Sequence, residues 1–247
     1  MKNLNKGVLY IAFNDVFIKE CLFSIESFKR YHSDIPVALF TNKNIKNENI
    51  DILKIITPNH IRSKVDYIMQ SPFEKTLYLD SDTVIVHNIL DMFEILDRFD
   101  IGITHDYARK RKNYCHIKEY SDIPYSFSEV NGGIMSFNNS ERTKNFLKLW
   151  NQKYYQYKNE TNGWDQPTLR ISLWQSDVKI HYFPPEYNIR PKQIREKVKK
   201  NKHILGQEHL SPRIYHAHYS HDVHLGKYEI DNLKQLEQII REQSLEY

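Results

Sequence analysis

Two carboxylates lie two residues apart inside a run of residues that otherwise favours a β-strand. The run is LYLDSDTVIV, residues 77–86, and its acids are Asp80 and Asp82. Two such side chains at the end of a strand converge on one point, and carboxylate oxygens suit Mg²⁺ and Mn²⁺. A divalent ion held there can bind a diphosphate and neutralise it as a leaving group. A solvated turn is the simplest alternative, but apolar residues flank the pair on both sides.

The same run also resembles the haloacid-dehalogenase phosphatases, in which an apolar strand is followed by D-x-D-x-T. In that interpretation Asp80 is the nucleophile and Asp82 is the general acid. The phosphatases complete their Mg²⁺ site with a later acidic pair, Asp-Asp or Gly-Asp-x-x-x-Asp, and neither follows residue 82 here. Their nucleophile also lies near the start of the chain. The phosphatase therefore stays as the alternative interpretation.

Histidines cluster late in the chain, in RIYHAHYSHDVH, residues 213–224. His216 and His218 follow the apolar start of a predicted strand and share one face if the strand continues. A packed or exposed histidine is the plainer interpretation. However, neutral imidazole is a common metal ligand, and the acid pair has no third ligand nearby in sequence. Either histidine is therefore a candidate ligand.

The elements around these residues alternate between strand and helix over the first hundred residues. Polar residues follow the first strand, where Asn14 and Asp15 can cap a helix. Such alternation is typical of a mostly parallel sheet flanked by helices, in which ligands bind at the carboxyl ends of the strands. Apolar runs and spacings predict strands at 7–13, 36–42, 51–58, 99–106 and 129–138, and helices at 15–31, 61–70, 164–174, from Ser140 onward and at 229–245.

The composition is that of one folded α/β domain of 247 residues. The net charge of +4 is mild, and no nucleic-acid motif accompanies it, so we expect no nucleic-acid partner. Cys21 and Cys115 lie far apart without metal-type spacing, which favours a reducing, cytoplasmic location. No run approaches the roughly 18 apolar residues of a membrane span, which leaves at most a peripheral contact with a membrane surface.

Taken in order, these motifs resemble the GT-A class of glycosyltransferases over about residues 7–220. The nearest resemblance is to the family that contains glycogenin and the bacterial retaining galactosyltransferases, glycosyltransferase family 8. FNDVF, residues 13–17, stands where that family has a TNDAY-like motif. Lys64 stands sixteen residues before Asp80, the spacing of a donor-contacting lysine in the family. NGG at 131–133 and DQP at 165–167 resemble two segments that surround the donor sugar.

The resemblance implies a single GT-A, Rossmann-like α/β domain over residues 1–247. Its nucleotide-binding half would be about 1–104 and its sugar and acceptor half about 105–225. The implied activity is transfer of a sugar from a nucleotide-diphosphate sugar, most simply a UDP-sugar, with retention of configuration. The implied acceptor is a hydroxyl of a glycan, a glycolipid or a protein, and the implied cofactor is Mn²⁺ or Mg²⁺.

The resemblance also implies roles for individual residues. Asp80, Asp82 and His216 would hold the metal, with His218 as the alternative to His216. Asp165 and Gln166 would lie beside the reacting carbon. Plainer interpretations stay open, since Asp165 can cap a helix and two glycines can mark a β-bulge. The residues implied to contact the donor are Ile11, Phe13, Asn14, Phe17, Arg62, Lys64, Ser81, Asp106, Asn131, Gly132 and Gly133.

The sequence departs from the family's pattern after His216. The family's histidine belongs to H-x-x-G-x-x-K, whereas Tyr219 and Asp222 stand at the glycine and lysine positions here. That lysine binds the diphosphate, so another cation is needed in its place. Lys227 and the basic run 190–202 are the candidates.

Overall fold

The computed structural model of this chain describes residues 4–190 and 212–216, together with residues 234, 235 and 238. The strands in this part are β1 (Lys6–Ile11), β2 (Val37–Thr41), β3 (Ile52–Ile55), β4 (Lys75–Leu79), β5 (Thr83–Ile85), β6 (Ile101–His105), β7 (Val130–Asn138), β8 (Ile180–Phe183) and β9 (Ile214–His216). The α-helices are α1 (Asp15–Tyr31), α2 (Lys64–Tyr67), α3 (Asp91–Glu94), α4 (Lys118–Ser121), α5 (Glu141–Tyr157) and α6 (Gln166–Gln175). Short 3₁₀ turns cover Ile68–Gln70, Ile95–Asp97, Lys112–Tyr114 and Pro185–Tyr187.

Seven of these strands form one sheet in the order β3-β2-β1-β4-β7-β6-β8. The pairs β3–β2, β2–β1, β1–β4 and β6–β8 are parallel, and β7 runs antiparallel to both of its neighbours. β5 and β9 form a separate antiparallel ribbon in which Thr83 lies opposite His216. The predicted α/β class with a mostly parallel sheet is confirmed.

Helices cover both faces of the sheet because successive strand residues point to opposite sides. Leu9 and Ile11 of β1 pack in the cluster that contains Trp150 of α5. Val8 and Tyr10 pack in the cluster that contains Phe28 of α1. Burial of Cys21, Ile25 and Phe28 confirms the predicted apolar stripe of α1.

Two predicted elements are shorter than expected. The predicted helix 61–70 begins at Lys64, because Ser63 Oγ accepts from the backbone N–H groups of Asn59 and His60 and donates to the His60 carbonyl. Such local side-chain bonds compete with helical ones. The strand character of 77–86 is interrupted, since β4 ends at Leu79 and β5 begins at Thr83.

Of the two predicted helix caps, Ser140 and Asn14, the structure shows only the first. Ser140 caps α5, accepting a hydrogen bond from the Thr143 N–H at 3.2 Å. Asn14 makes no capping bond, so the prediction that it caps α1 is wrong. Its φ of 70° lies in the left-handed region that is uncommon outside glycine. The chain therefore turns sharply at Asn14, directly after the first strand.

Several predictions fall outside the described residues. They concern His218, Lys227, residues 191–202 of the basic run and most of the C-terminal helix, of which residues 234, 235 and 238 are helical. The division of the domain into two halves stays a prediction. None of the helices in the described part of the chain has the length and apolar character that crossing a bilayer requires.

Asp100, just before β6, accepts hydrogen bonds from residues at the starts of β8 and α5. Its carboxylate accepts hydrogen bonds from Arg142 Nε at 2.8 Å, the Lys179 backbone N–H at 2.9 Å and Ser140 Oγ at 3.1 Å. Burial alone would raise the pKa of this carboxyl, but the three donors outweigh it and lower the pKa to about 2. The charged form of Asp100 therefore stabilises the fold.

We expect Asp100→Asn to lower the free energy of unfolding by about 2 kcal/mol at pH 7. Because the folded pKa is depressed, this contribution is complete above about pH 4 and is lost as the pH falls towards 2. Urea unfolding at pH 7 and at steps down to pH 3 measures the difference between variant and wild type. Asp177→Asn, at an exposed aspartate, is the control and should change little. If the difference in free energy of unfolding between wild type and Asp100→Asn were the same at every pH, this role for Asp100 would be contradicted.

Candidate active site

The carboxyl ends of β1 and β4 open into a pocket. Its cavity volume is about 220 Å³, and the pocket is open to solvent on one side. Most of the pocket residues that sequence reasoning missed are aromatic or acidic, notably Glu20, Tyr78 and Trp164. The full lining is Ile11, Ala12, Phe13, Phe17, Glu20, Ile61, Arg62, Lys64, Tyr78, Asp80, Ser81, Asp82 and Trp164.

Asp80, Asp82 and His216 come together, as the family resemblance implies, and the two acids line the pocket. One potential ligand atom from each lies within 4.8 Å of the others. His216 Nε2 is 3.1 Å from Asp82 Oδ1 and 3.9 Å from Asp80 Oδ2. Carboxylate oxygens and an imidazole nitrogen are a suitable donor set for Mn²⁺ or Mg²⁺, so these residues fit a divalent ion.

The two acids lie in a tight turn between β4 and β5. The Asp80 N–H donates to the Gly133 carbonyl at 2.7 Å, and Thr83 Oγ1 donates to the Asp80 carbonyl at 2.9 Å. Because β9 pairs with β5, His216 lies opposite Thr83 and therefore beside Asp82. The strand that carries the histidine is thus aligned with the acid pair by backbone pairing.

Asn188 orients the His216 ring and was missed by sequence reasoning. Its Nδ2 donates to Asn131 Oδ1 at 2.9 Å and to Thr104 Oγ1 at 2.8 Å, which leaves its Oδ1 facing His216 Nδ1 at 3.1 Å. The hydrogen-bond network therefore assigns the ring proton to Nδ1 and directs Nε2 towards the acids. No local motif marks Asn188, which lies in the loop after β8.

Gly133 is where the backbone of β7 approaches His216 and Asp80, two of the three candidate ligands. A Cβ atom at this position would lie 2.4 Å from His216 Cε1 and 2.7 Å from Asp80 Oδ2. A Cβ atom at Gly132 would lie 2.9 Å from Leu169 Cδ2. The β6–β7 register also breaks between Ile103 and Thr104, opposite these glycines. The glycines therefore both mark a bulge and make room for the ligands.

Lys64 joins two acids at the base of the site. Its Nζ lies 3.2 Å from Asp80 Oδ1 and 3.4 Å from Asp165 Oδ2, and it donates to the Gly132 carbonyl at 3.2 Å. Burial alone would lower the pKa of Lys64, but the Asp165 and Asp80 carboxylates outweigh it and raise the pKa. Lys64 therefore stays charged and holds both acids in place.

Asp80 is ionised and held from two sides. Burial raises its pKa, but the Lys64 charge and further contributions from His216 and Tyr78 bring the pKa below its ordinary value. Tyr78 donates its hydroxyl to Asp80 Oδ1 at 2.6 Å. Burial, reinforced by the Asp80 charge, raises the pKa of Tyr78 well above its ordinary value. Tyr78 is therefore a neutral donor to a charged acceptor.

Asp165 makes no capping bond to α6, so its interpretation as a helix cap is wrong. Its carboxylate instead faces Lys64 and Arg62, whose Nε lies 3.5 Å from Asp165 Oδ1. The Arg62 guanidinium also lies 4.5 Å from the centre of the Trp164 ring. Asp165 therefore contacts two cationic side chains that line the pocket, Arg62 and Lys64.

Gln166 and Asp106 belong to a polar network with Glu129 and Arg111, and neither is among the residues that line the pocket. Gln166 Nε2 donates to Glu129 Oε2 at 2.8 Å, and Arg111 Nε donates to the same oxygen at 3.0 Å. Both oxygens of Asp106 accept from arginines, Arg111 at 2.9 Å and Arg190 at 2.8 Å. Asp106 is thus engaged by protein side chains in this structure, and Asn14 is exposed.

Comparison with known proteins agrees with this geometry. The family model of nucleotide-diphospho-sugar transferases matches residues 75–228, a segment that contains β4, the acid pair and His216. A comparison with curated proteins gave no match.

Three solved structures illustrate the fold likeness. The galactosyltransferase LgtC, in complex with donor and acceptor sugar analogs, is 14% identical with a TM-score of 0.58, covering 86% of this chain and 87% of LgtC. GlyE of Streptococcus pneumoniae TIGR4 is 17% identical with a TM-score of 0.62, covering 98% of this chain and 61% of GlyE. Mouse xyloside xylosyltransferase 1 is 14% identical with a TM-score of 0.53, and the match covers 86% of this chain and 97% of the xylosyltransferase.

Proposed function

The chain belongs to the nucleotide-diphospho-sugar transferases and has the GT-A fold, and on this premise we propose that it is a metal-dependent UDP-sugar transferase that retains configuration. The observation that carries the proposal is the convergence of Asp80, Asp82 and His216 on one side of the pocket. The acceptor in this proposal is a hydroxyl of a glycan, a glycolipid or a protein.

The pocket has the surfaces that a nucleotide-diphosphate sugar requires. Phe13 and Phe17 offer aromatic surface for the base at the end of β1. Asp80, Asp82 and His216 would hold the divalent ion. When bound, that ion supplies positive charge to the departing diphosphate. Asp165 and Gln166 are then proposed to lie beside the donor sugar.

Arg62 is the described cation best suited to approach the donor. Both Arg62 and Lys64 line the pocket, but the Arg62 side chain is 27% exposed and that of Lys64 only 9%. Lys64 contacts both Asp80 and Asp165, whereas Arg62 contacts Asp165 at the longer distance of 3.5 Å and is more exposed. We assign Lys64 to holding the acids and Arg62 to the charge of the donor.

The proposed reaction exchanges one bond at the anomeric carbon for another. The bond from this carbon to the phosphate oxygen breaks, and the acceptor oxygen bonds to the carbon on the same face. The acceptor proton passes to the departing phosphate. Gln166 donates its Nε2 to Glu129, so its Oε1 can face the opposite side of the sugar and stabilise the developing positive charge.

We do not propose the phosphatase alternative for this chain. Asp80 follows the fourth strand of the chain, and its carboxylate is held by Tyr78 and Lys64. Neither Asp-Asp nor Gly-Asp-x-x-x-Asp follows residue 82, so the sequence lacks the acidic pair that completes the phosphatase Mg²⁺ site. Hydrolysis of p-nitrophenyl phosphate with Mg²⁺ would be the result that favours the phosphatase.

The test of the proposed function is a thermal-shift screen of nucleotide sugars with and without Mn²⁺. At 100 times its Kd a ligand stabilises by about 2.7 kcal/mol, so the Tm should rise by about 5 °C or more for UDP-sugars with Mn²⁺. The active donor is then incubated with candidate acceptors, and NMR of the product gives its anomeric configuration. Stabilisation that ignores Mn²⁺, or that favours another nucleotide, would contradict the proposal.

A further inference from the structure

Glu20 is a buried carboxylate in the pocket that the proposed mechanism does not use. The residue is 4% exposed, lies on α1 and lines the pocket. Ser81 donates its hydroxyl to Glu20 Oε2 at 3.3 Å. Glu20 therefore offers the pocket a carboxylate in addition to those of Asp80 and Asp82.

Glu20 lies between the aromatic wall and the acid pair. Phe17 precedes it by three residues, so the two side chains are neighbours on one face of α1, and both line the pocket. On its other side Glu20 contacts Ser81, which stands between Asp80 and Asp82. A ligand that places its base on Phe17 and its diphosphate at the acid pair would therefore pass Glu20 with its middle part.

The charge of Glu20 restricts what that middle part can be. A carboxylate repels a phosphate and attracts a neutral group that donates hydrogen bonds. Between the base and the diphosphate of a nucleotide lies the ribose, whose 2′ and 3′ hydroxyls are such donors. This reasoning rests on the proposed function, since it assumes a nucleotide-diphosphate donor.

We propose that Glu20 accepts a hydrogen bond from a ribose hydroxyl of the donor nucleotide and thereby selects ribonucleotides over deoxyribonucleotides. Ser81 positions the carboxylate by donating to its other side. The selection is independent of which sugar is transferred, because the ribose lies on the nucleoside side of the acid pair.

The test is calorimetric titration of the full chain, in Mn²⁺, with UDP, 2′-deoxy-UDP and 3′-deoxy-UDP. A hydrogen bond to a charged group corresponds to roughly 10- to 100-fold in Kd, so the wild type should bind one deoxy analogue more weakly by that factor. The quantity compared is the Kd of that deoxy analogue divided by the Kd of UDP. In Glu20→Gln this ratio should be smaller than in the wild type, and in Glu20→Met it should approach one. Glu26→Gln, at an exposed glutamate of the same helix, should keep the wild-type ratio.

Each contrary outcome identifies which statement is wrong. Equal binding of UDP and both deoxy analogues by the wild type would overturn the inference. So would a ratio of the deoxy-analogue Kd to the UDP Kd that stays at its wild-type value in both Glu20 variants. A variant that changes preference between UDP and CDP, with the ribose ratio intact, would place Glu20 at the base instead. Absence of binding by every nucleoside diphosphate would overturn the proposed function, and the inference with it. Circular dichroism melts establish that Glu20→Gln is folded.

Discussion

Asp82→Ala is expected to abolish metal-dependent UDP binding while leaving the fold intact. The variant removes a carboxylate whose Oδ1 lies 3.1 Å from His216 Nε2, within the only described group of three candidate metal ligands. Loss of a residue that merely orients a ligand costs about 10- to 100-fold in metal affinity, so loss of a ligand should cost at least about 100-fold. Asp82 also raises the pKa of Asp80, which means that the two charges repel and that the variant relieves this repulsion.

Calorimetry of UDP in the presence of Mn²⁺ measures this effect, and a thermal melt in EDTA measures stability separately. The apo melting temperature should be unchanged or slightly raised, because a repulsive charge is removed. Asp122→Ala, at an exposed aspartate that pairs with Lys118 within one helical turn, is the control. Unchanged UDP binding by Asp82→Ala would show that the metal role is wrong. A large fall in the apo melting temperature would show that Asp82 is structural instead.

Gly133→Ala is also expected to impair metal-dependent UDP binding, although it changes none of the three candidate metal ligands. The added methyl group would lie 2.4 Å from His216 Cε1 and 2.7 Å from Asp80 Oδ2, so both side chains must move. Overpacking of this kind also costs about 1–3 kcal/mol of stability. The ligands would then no longer converge, and we expect UDP affinity in Mn²⁺ to fall by about 10-fold or more.

Gly163→Ala is the matched control for this variant. Gly163 has a φ of 75°, and a Cβ atom there would meet nothing within 4 Å. Alanine should therefore cost about 1 kcal/mol of stability through backbone strain and leave Mn²⁺-dependent UDP binding unchanged. Wild-type UDP affinity in Gly133→Ala would contradict the packing role of Gly133. An equal loss in both glycine variants would indicate general destabilisation.

The predicted fold and the acid pair depend on signals that are local in sequence. The stripe of Cys21, Ile25 and Phe28 predicts an amphipathic helix because side chains three or four residues apart share a helix face. Asp80 and Asp82 are recognisable because two charges inside an apolar run are costly and therefore conspicuous. The sequence by itself thus determined the α/β class, the mostly parallel sheet and the turn at which two of the three candidate ligands lie.

Only the tertiary structure decided how the remaining residues meet those acids. His216 reaches Asp82 because β9 pairs with β5, and no local pattern specifies which strands pair. Asn188 acts through the other ring nitrogen of the same histidine, and Glu20 enters the pocket through a contact with Ser81. Asp165 has the sequence context of a helix cap but faces Lys64. These contacts join residues far apart in the chain, so they follow from packing in three dimensions rather than from periodicity.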